Sequence, residues 1–294
     1  MQIHKPVLLN EVINYLNIKE DGIYIDCTLG TGGHSIEILK HLSGQGTLIG
    51  IERDLDSLEI AKKRLNEFND KNYYLFHSNF TELKSILKSL NINKITGGIL
   101  LDLGVSSLQL DISERGFSFK GNAPLDMRMD KTAELTAFEV VNKYKEEKLA
   151  NIIYNFGEER YSRKIAREIV QNRVRNGPIK STKELAELVS YCYPKKRHYK
   201  IHPATRTFQA LRIEVNKELE NIENLLCFIP ELLLPQSRLT VISFHSLEDR
   251  LIKNFLKNSS EFKALTKKPI TPSKSEIDEN PRSRSAKLRA GEKI

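Results

Sequence analysis

The chain has 294 residues, of which 39% are hydrophobic and 29% are charged, and this balance indicates a water-soluble globular protein with one large core or a core and a smaller domain. No apolar run reaches the ~18 residues of a membrane span, and the N-terminal residues lack the pattern of a signal peptide, so we expect a cytoplasmic protein without a membrane partner. The three cysteines have neither disulfide nor metal-ligand spacing, so we expect reduced thiols and no metal site.

The net charge of +8 is distributed unevenly along the chain. Residues 141–210 carry +9 and residues 262–294 carry +5, which leaves −6 on the remainder. Lysine and arginine gain affinity for nucleic acids by releasing counterions from phosphates, so a basic segment and a basic tail on an acidic body indicate a polyanionic partner. The alternative is an ordinary solvated helical surface.

Apolar runs alternate with helical periodicity over the first 102 residues. They predict strands at 22–27, 47–51, 73–77 and 95–102, and helices at 35–42, 55–68 and 80–90. We expect Asp54 or Asp56 to cap the second of these helices. The alternation predicts a parallel sheet with right-handed crossovers, and ligands of such sheets bind at the carboxyl ends of the strands.

Beyond residue 102 the alternation stops. A loop-rich stretch at 103–130 precedes helical periodicity from 136 to 193, followed by a helix at 205–226, a strand at 237–244 and a helix at 247–257. The last 33 residues are polar and contain three prolines, so we expect them to be partly irregular. The predicted fold is an α/β sheet with an inserted all-helical domain. The predicted domains are a discontinuous sheet domain, 1–109 and 205–294, and a helical insert, 110–204, which we expect to recognise the substrate.

The first predicted strand runs into a glycine-rich turn, Gly30-Thr-Gly-Gly33, that opens the first predicted helix. Glycine suits such a turn because it adopts positive φ and lets the backbone approach a ligand. Glu52 ends the next strand about 20 residues later, which is where nucleoside-binding α/β units place an acid for ribose hydroxyls. Ser35 stands where a dinucleotide fingerprint has its third glycine, and no Gly-Lys-Ser/Thr follows, so the turn matches neither a dinucleotide fingerprint nor a phosphate-binding loop.

The pattern that remains, Asp26-x-x-x-Gly-x-Gly-Gly, resembles motif I of the S-adenosylmethionine-dependent methyltransferases. This cofactor carries an amino acid and a sulfonium but no phosphate, so acidic groups and backbone amides suit it. The resemblance implies a Rossmann-like class I methyltransferase sheet. An ordinary strand–turn–helix with glycines for tightness is the alternative.

Asp102 and His245 are the candidate catalytic residues, because each ends or follows a predicted strand. Asp102 occupies the place where methyltransferases of exocyclic amines carry an Asp/Asn/Ser-Pro-Pro-aromatic motif, whose polar side chain accepts a hydrogen bond from the amine. Leu-Gly-Val replaces the rest of that motif here, so cofactor contact or loop capping is the alternative. His245 is a candidate proton acceptor, with a structural role as its alternative.

Three other residues are candidates for cofactor contact. Phe80 either packs on the adenine or is a plain core aromatic. Gln109 either binds the amino-acid end of the cofactor or is a surface glutamine. His34, at the predicted helix start, is expected to contribute its backbone amide alone.

Basic side chains recur at helical spacing in the insert and again in the tail. The candidates for phosphate contact are Arg160, Arg163, Lys164 and Arg167 in the insert, and Arg282 and Arg284 in the tail. The alternative for both sets is a solvated basic surface.

Seven segments and part of the tail resemble the bacterial ribosomal RNA small subunit methyltransferase H (MraW) family. They are residues 24–35, 100–107, 114–119, 124–130, 157–160, 202–210, 243–250 and 280–285. The resemblance implies N4-methylation of cytosine 1402 in the decoding centre of 16S rRNA, with S-adenosylmethionine as cofactor and 16S rRNA or the small ribosomal subunit as partner. It also implies an rRNA-binding enzyme of the cytoplasm.

The same resemblance implies a set of cofactor contacts. They fall on Gly32, Gly33, His34, Glu52, Phe80, Asp102 and Gln109. The family carries Asp at the ribose position, where this chain has Glu52, which keeps the acceptor chemistry and lengthens its reach.

Two alternatives stay open at the level of sequence. One is a methyltransferase of a different RNA, a protein or a metabolite, and the other is a non-catalytic RNA-binding assembly factor. Sequence does not decide between monomer and homodimer, between free rRNA and assembled subunit as substrate, or which residue accepts the proton.

Overall fold

The computed structural model describes residues 6–194, 199 and 201–294, and the chain divides into two units. The first unit comprises residues 1–104 and 219–294, and the second comprises residues 105–218. The predicted boundaries placed 105–109 and 205–218 with the sheet, whereas these residues belong to the helical unit. Four members of the predicted basic segment, at positions 195, 196, 197 and 200, lie outside the described residues.

The first half of the sheet unit alternates helices and strands. Its elements are α1 (Leu9–Leu16), β1 (Ile23–Asp26), α2 (Gly33–His41), β2 (Thr47–Glu52), α3 (Leu55–Leu65), β3 (Asn72–His77), α4 (Leu83–Ser89) and β4 (Gly98–Asp102). The predicted strands and helices are confirmed within a few residues, and α1 was not predicted. Asp54 is the cap of α3, since its carboxylate accepts the backbone N–H of Asp56 at 3.1 Å.

The regular secondary-structure elements in the described part of the second unit are all helices. It contains α5 (Ser107–Asp111), α6 (Ala137–Lys143), α7 (Glu146–Gly157), α8 (Ser162–Asn176), α9 (Thr182–Tyr191) and α10 (Ala204–Asn216). Its core includes Val140, Ile153 and Ile165, which are fully buried. The Asn216 side chain donates to the Met127 carbonyl and accepts the Met129 N–H, so it fixes the loop before α6.

The chain then returns to the sheet unit. The last elements are α11 (Glu218–Leu232), β5 (Arg238–Ser243), α12 (Ser246–Asn258), β6 (Phe262–Ala264), α13 (Lys274–Glu279) and β7 (Lys287–Lys293). The single helix predicted at 205–226 is wrong, because Lys217 adopts a φ of 50° and ends α10 before α11 begins. The tail is partly irregular, as predicted, but it also contains β6 and β7, which were not predicted and which pair with each other and, through β7, with β5.

The strands form one sheet in the order β3-β2-β1-β4-β5-β7-β6. Strands β1 to β5 pair in parallel, and β7 runs antiparallel to both of its neighbours. The predicted Rossmann-like α/β sheet is confirmed. Since the carboxyl ends of parallel strands meet at one edge, Asp26, Glu52 and Asp102 end their strands there. No helix in the described part of the chain is both long and apolar enough to span a membrane.

Candidate functional site

The glycine turn between β1 and α2 has the conformation that its sequence predicts. Gly30 and Gly32 have φ values of 54° and 82°, where side chains are strained. A Cβ on Gly32 would lie 2.5 Å from Leu65 Cδ1, and one on Gly33 would lie 2.6 Å from Pro6 Cγ. The turn therefore presents backbone rather than side chains at the start of α2.

Glu52 ends β2 and is bonded to the glycine turn. Its Oε2 accepts the N–H of Gly30 at 2.7 Å, and its Oε1 accepts the N–H of Asp54 at 2.8 Å. Burial raises the pKa of this carboxyl, and the two amide bonds oppose that rise. The sequence predicted that the Glu52 carboxylate binds ribose hydroxyls and has no other role. Both of its oxygens accept a backbone N–H, so the side chain also holds the glycine turn in place.

Asp26 lies beneath the turn at the end of β1 and is 1% exposed. Its Oδ2 accepts the Ser35 hydroxyl at 2.7 Å, and its Oδ1 accepts the N–H of Thr28 at 3.2 Å. Burial raises the pKa of Asp26 to about 6, and these two hydrogen bonds oppose the rise. The carboxyl group thus ties the end of β1 to the first turn of α2.

Asp102 ends β4 and offers an acceptor atom to which no described residue donates. Its side chain is 24% exposed, and among the described residues its buried Oδ1 has no hydrogen-bond donor. Its backbone N–H donates to Thr28 Oγ1 at 2.6 Å, which fixes the strand end. Burial, followed by the Asp26 and Glu248 carboxyls, raises the pKa of Asp102 well above its usual range.

The side chain of His34 turns towards Asp102. Its Nδ1 lies 3.7 Å from Asp102 Oδ2, and its Nε2 forms a 2.9 Å hydrogen bond with the Val7 carbonyl oxygen. The ring is 7% exposed. Sequence reasoning expected His34 to contribute its backbone amide alone, because the spacing along α2 gives no sign of an imidazole facing the end of β4.

The side chains of Phe80 and Gln109 are both buried. Phe80, 8% exposed, belongs to the core on one face of the sheet. Gln109 lies in the helical unit and is 3% exposed, so the alternative of a surface glutamine is wrong. It closes a capping box at the start of α5, in which its Oε1 accepts the Ser106 N–H at 3.0 Å.

His245 caps α12. Its Nδ1 accepts the N–H of Glu248 at 3.4 Å, and its Nε2 lies 3.1 Å from Glu248 Oε1. The other carboxylate oxygen of Glu248 accepts the N–H groups of Phe244 and His245, which completes a capping box. This is the structural role that the sequence left as the alternative to proton transfer.

The four basic residues of the insert are exposed in the helical unit. Arg160 precedes α8, so it does not share a helical face with the other three, and it stacks 4.9 Å above the Tyr161 ring. Lys164 Nζ donates to the Cys192 carbonyl, and Arg167 lies 3.7 Å from Glu146. In the tail, residues 282 and 284 are exposed in a 3-10 turn, whereas Arg289 is buried in β7 on Asp249.

The sheet-unit site fits a ligand with a positive charge and hydroxyl groups. A Cβ on Gly32 or Gly33 would meet Leu65 or Pro6, so the turn keeps bare backbone there, and Asp102 supplies an acceptor that no described residue satisfies. The buried carboxyls of Asp26 and Asp102 oppose the entry of phosphate. These are the properties that the sequence associated with S-adenosylmethionine.

Known proteins resemble the chain over its whole length. The sequence profile of the MraW methylase family matches residues 1–294. "Ribosomal RNA small subunit methyltransferase H" of Thermosipho africanus is 52% identical over 293 residues, which cover 99% of this chain and 98% of that protein. The proteins of that name from Clostridium botulinum (strain 657 / Type Ba4) and Caldicellulosiruptor saccharolyticus are each 50% identical, over 99% and 100% of both chains respectively.

Proposed function

The chain belongs to the MraW methylase family, and from this premise we propose that it methylates the N4 amino nitrogen of cytosine 1402 in the decoding centre of 16S rRNA. The relatives' shared name supports the coarser part of this function, methylation of small-subunit ribosomal RNA. S-adenosylmethionine is the cofactor, as the sequence predicted. When bound, it supplies an electrophilic methyl group on a sulfonium.

The observation that carries the choice of an exocyclic amine is the unpartnered acceptor of Asp102 at the end of β4. The lone pair of an aromatic amine is delocalised into the ring. An acceptor that draws an amine hydrogen out of the ring plane restores nucleophilicity to the nitrogen. Asp102 Oδ1 is buried and no described residue donates to it, and an amine hydrogen would satisfy it.

The other site residues receive roles in the same proposal. The backbone around Gly32 and Gly33 holds the cofactor, Glu52 binds its ribose hydroxyls, and Phe80 packs on its adenine. Gln109 binds the amino-acid end. His245 acts by fixing the start of α12, since its Nδ1 accepts the Glu248 N–H.

RNA contact is assigned to exposed basic residues. In the helical unit these are Arg160, Arg163, Lys164 and Arg167, and in the sheet unit they are Arg282 and Arg284. Their role is to bind phosphates, since Lys and Arg contribute sequence-independent affinity. The target cytidine must leave its stack to reach a buried acceptor, so an irregular region of RNA is the expected substrate.

The test is methylation by the purified protein of small subunits, and of 16S rRNA, prepared from a strain that lacks this gene. Nucleoside mass analysis is expected to find N4-methylcytidine with the wild-type protein. We expect Asp102→Asn to lower single-turnover rates at least ~100-fold, which is the range of one lost electrostatic or proton-transfer group. Asp70→Asn, at a site whose side chain is 71% exposed, is the matched control and should retain the wild-type rate.

Two results would contradict the proposal. Methylation of a different nucleoside, a protein or a metabolite would reassign the substrate. Binding of the RNA with no measurable binding of S-adenosylmethionine in calorimetry would instead indicate a non-catalytic assembly factor.

A further inference from the structure

A stack of aromatic rings runs from the core of the helical unit to its surface. Phe208 is 5% exposed, and the partly buried Phe119 ring packs edge-to-face against it, with 5.1 Å between the ring centroids. The His202 ring stacks on Phe119, with 4.6 Å between the centroids and 26° between the ring planes. Because His202 is exposed, Phe119 covers one face of its imidazole and leaves the other face towards solvent.

The imidazole of His202 is held in position before any ligand binds. Its Nδ1 accepts the backbone N–H of Ala204 at 3.2 Å, and Pro203 restricts the backbone of the residue before it. In the neutral ring the proton is therefore on Nε2, for which no described residue provides an acceptor. The outer face and the Nε2–H group thus form a preorganised surface with one available donor.

The side chains beside the stack are basic, and neither has a carboxylate partner among the described residues. Lys120 follows Phe119 in the chain and is exposed. Arg206 is also exposed and lies in the first turn of α10, where its guanidinium donates to the Glu158 carbonyl at 3.0 Å. The positive end of the α10 dipole lies at this start of the helix, directly after His202 and Pro203. Each of these features attracts an anion.

We propose that the outer face of His202 is a stacking platform for one unstacked base of single-stranded RNA, and that Lys120 and Arg206 bind the phosphates on either side of that base. This inference rests on the proposed function and deepens it, since it names one contact with the RNA. A ring accepts the face of any base and cations accept the backbone, which is how proteins bind single strands without reading their sequence. Duplex RNA does not fit, because its bases are stacked on one another.

The alternative is a purely structural role, in which His202 shields Phe119 from water and ties the loop that carries it to α10. That role predicts a loss of stability when the ring is removed, with no change in RNA affinity. The stacking role predicts a loss of affinity that a different flat ring restores. Urea unfolding and RNA binding, measured on the same variants, therefore separate the two roles.

Fluorescence titration with a short single-stranded RNA that carries one 2-aminopurine measures affinity and stacking together. The chain contains no tryptophan, and tyrosine does not absorb where 2-aminopurine is excited, so the signal comes from the RNA. We expect the wild-type protein to quench this signal, and His202→Ala to bind ~5–150-fold more weakly, which is the range for the loss of one stack between a base and an aromatic ring. His202→Phe should recover most of the lost affinity, because it keeps a flat ring.

Salt dependence separates the ring from the cations. At about pH 8, His202→Ala should leave the slope of log affinity against log salt concentration unchanged, whereas Lys120→Ala and Arg206→Ala should each reduce it by about 0.7, the value for one phosphate contact on a single strand. The matched control is His41→Ala, at an exposed histidine of α2 whose ring hydrogen-bonds to the Glu37 carbonyl of its own helix. It should change neither affinity nor slope.

A duplex of the same sequence is the control on the side of the RNA. His202→Ala should bind the duplex with wild-type affinity, because no base of a duplex is available to stack on the ring. Equal losses of affinity for the single strand and the duplex would contradict stacking.

A second measurement requires no variant to fold. In NMR spectra of the full-length protein labelled in its histidines, the ring protons of His202 should move upfield as the single-stranded RNA is added, because a stacked base shields them, while those of His41 stay in place. Unmoved His202 signals at saturating RNA would overturn the inference. So would a His202→Ala variant that loses stability but retains wild-type RNA affinity.

Failure of this inference can be told apart from failure of the proposed function. A wild-type protein that methylates cytidine, but whose His202 responds in neither assay, would refute only the stacking platform. A protein that methylates no RNA, yet binds single strands through His202, would refute the proposed function and leave the platform in place. A wild-type protein that binds no single-stranded RNA would refute the platform, whatever its activity.

Discussion

Replacing Asp26 by asparagine should alter how the stability of the protein depends on pH. In the folded protein the pKa of Asp26 is raised from 3.8 to about 6, chiefly by burial beneath the glycine turn. A raised folded pKa means that the folded state holds its proton more tightly than the unfolded state. Asp26 thus contributes stability below its unfolded pKa, and this contribution is lost as the pH rises through about 6.

The magnitude follows from the size of the pKa shift. A rise of about 2 units corresponds to about 3 kcal/mol of unfolding free energy between the fully protonated and fully ionised limits. Roughly two thirds of this change falls between about pH 4.5 and pH 8, because the upper part of the titration lies in that interval. The asparagine of the variant does not titrate, and its amide can still accept the Thr28 N–H and donate to the Ser35 hydroxyl.

Urea unfolding at a series of pH values measures the effect as a difference between two proteins. On passing from about pH 4.5 to pH 8, the wild-type protein should lose about 2 kcal/mol relative to Asp26→Asn. Ser35→Ala removes a hydrogen bond that lowers the pKa of Asp26 and should steepen the wild-type dependence. Asp70→Asn, at an exposed carboxyl, should change nothing. Parallel curves for the wild type and Asp26→Asn would show that burial does not raise the pKa of Asp26.

Two further predictions concern the turn and the basic surface. Gly32→Ala should destabilise the fold by about 1–3 kcal/mol in urea unfolding and weaken binding of S-adenosylmethionine in calorimetry, because Gly32 has a φ of 82° and an added Cβ would meet Leu65. The control is Gly44→Ala, since no atom lies within 4 Å of a Cβ added there. Equal effects of the two substitutions would refute the argument. Changing Arg163 and Lys164 together to Ala should weaken RNA binding and reduce the slope of log affinity against log salt concentration by about 1–2. The matched change of the lysines at 62–63 should not alter that slope. An unchanged slope for the first variant would remove Arg163 and Lys164 from the RNA interface.

The sequence predicted the first half of the sheet because its signals are local. Apolar strands, glycine at positive φ and an Asp cap each act within a few residues, so β1, β2 and the turn that ends at Gly33 lie where their patterns place them. The same reasoning identified the acids that end the parallel strands, because a strand end is also a local feature.

There is a physical reason why the C-terminal strands could not be predicted from the sequence. Residues 287–293 read Lys-Leu-Arg-Ala-Gly-Glu-Lys, a short and charged run with no clear alternation. They form β7 because β5 and β6 pair with them on either side, and Arg289 is buried by its ion pair with Asp249. The end of α10 at Lys217 could not be predicted either, since nothing in the lysine side chain favours the left-handed conformation that ends the helix. Tertiary contacts decide both cases.

The sequence predicted which residue types lie at the site, but it predicted only some of the contacts between them. Spacing identified Glu52 as the acid of the second strand, but the hydrogen bond to Gly30 depends on how the turn folds back towards that strand. The side chain of His34 faces Asp102 across 68 residues of sequence, and no pattern within α2 encodes that pairing. Contacts between elements thus required the structure, whereas positions at element ends did not.

The arrangement of charge at the sheet-unit site disfavours phosphate, although the substrate that we propose is an RNA. Asp26 and Glu248 act on Asp102 at the carboxyl end of the sheet, and each buried carboxyl raises the energy of ionising the next. That repulsion makes the ligand-free site less stable than a neutral one, and it is relieved by a cation and increased by an anion. The basic residues that suit RNA phosphates at 160–167 belong to the other unit. The acidic residues of the sheet unit and the basic residues at 160–167 therefore suit ligands of opposite charge, a sulfonium and a polyanion.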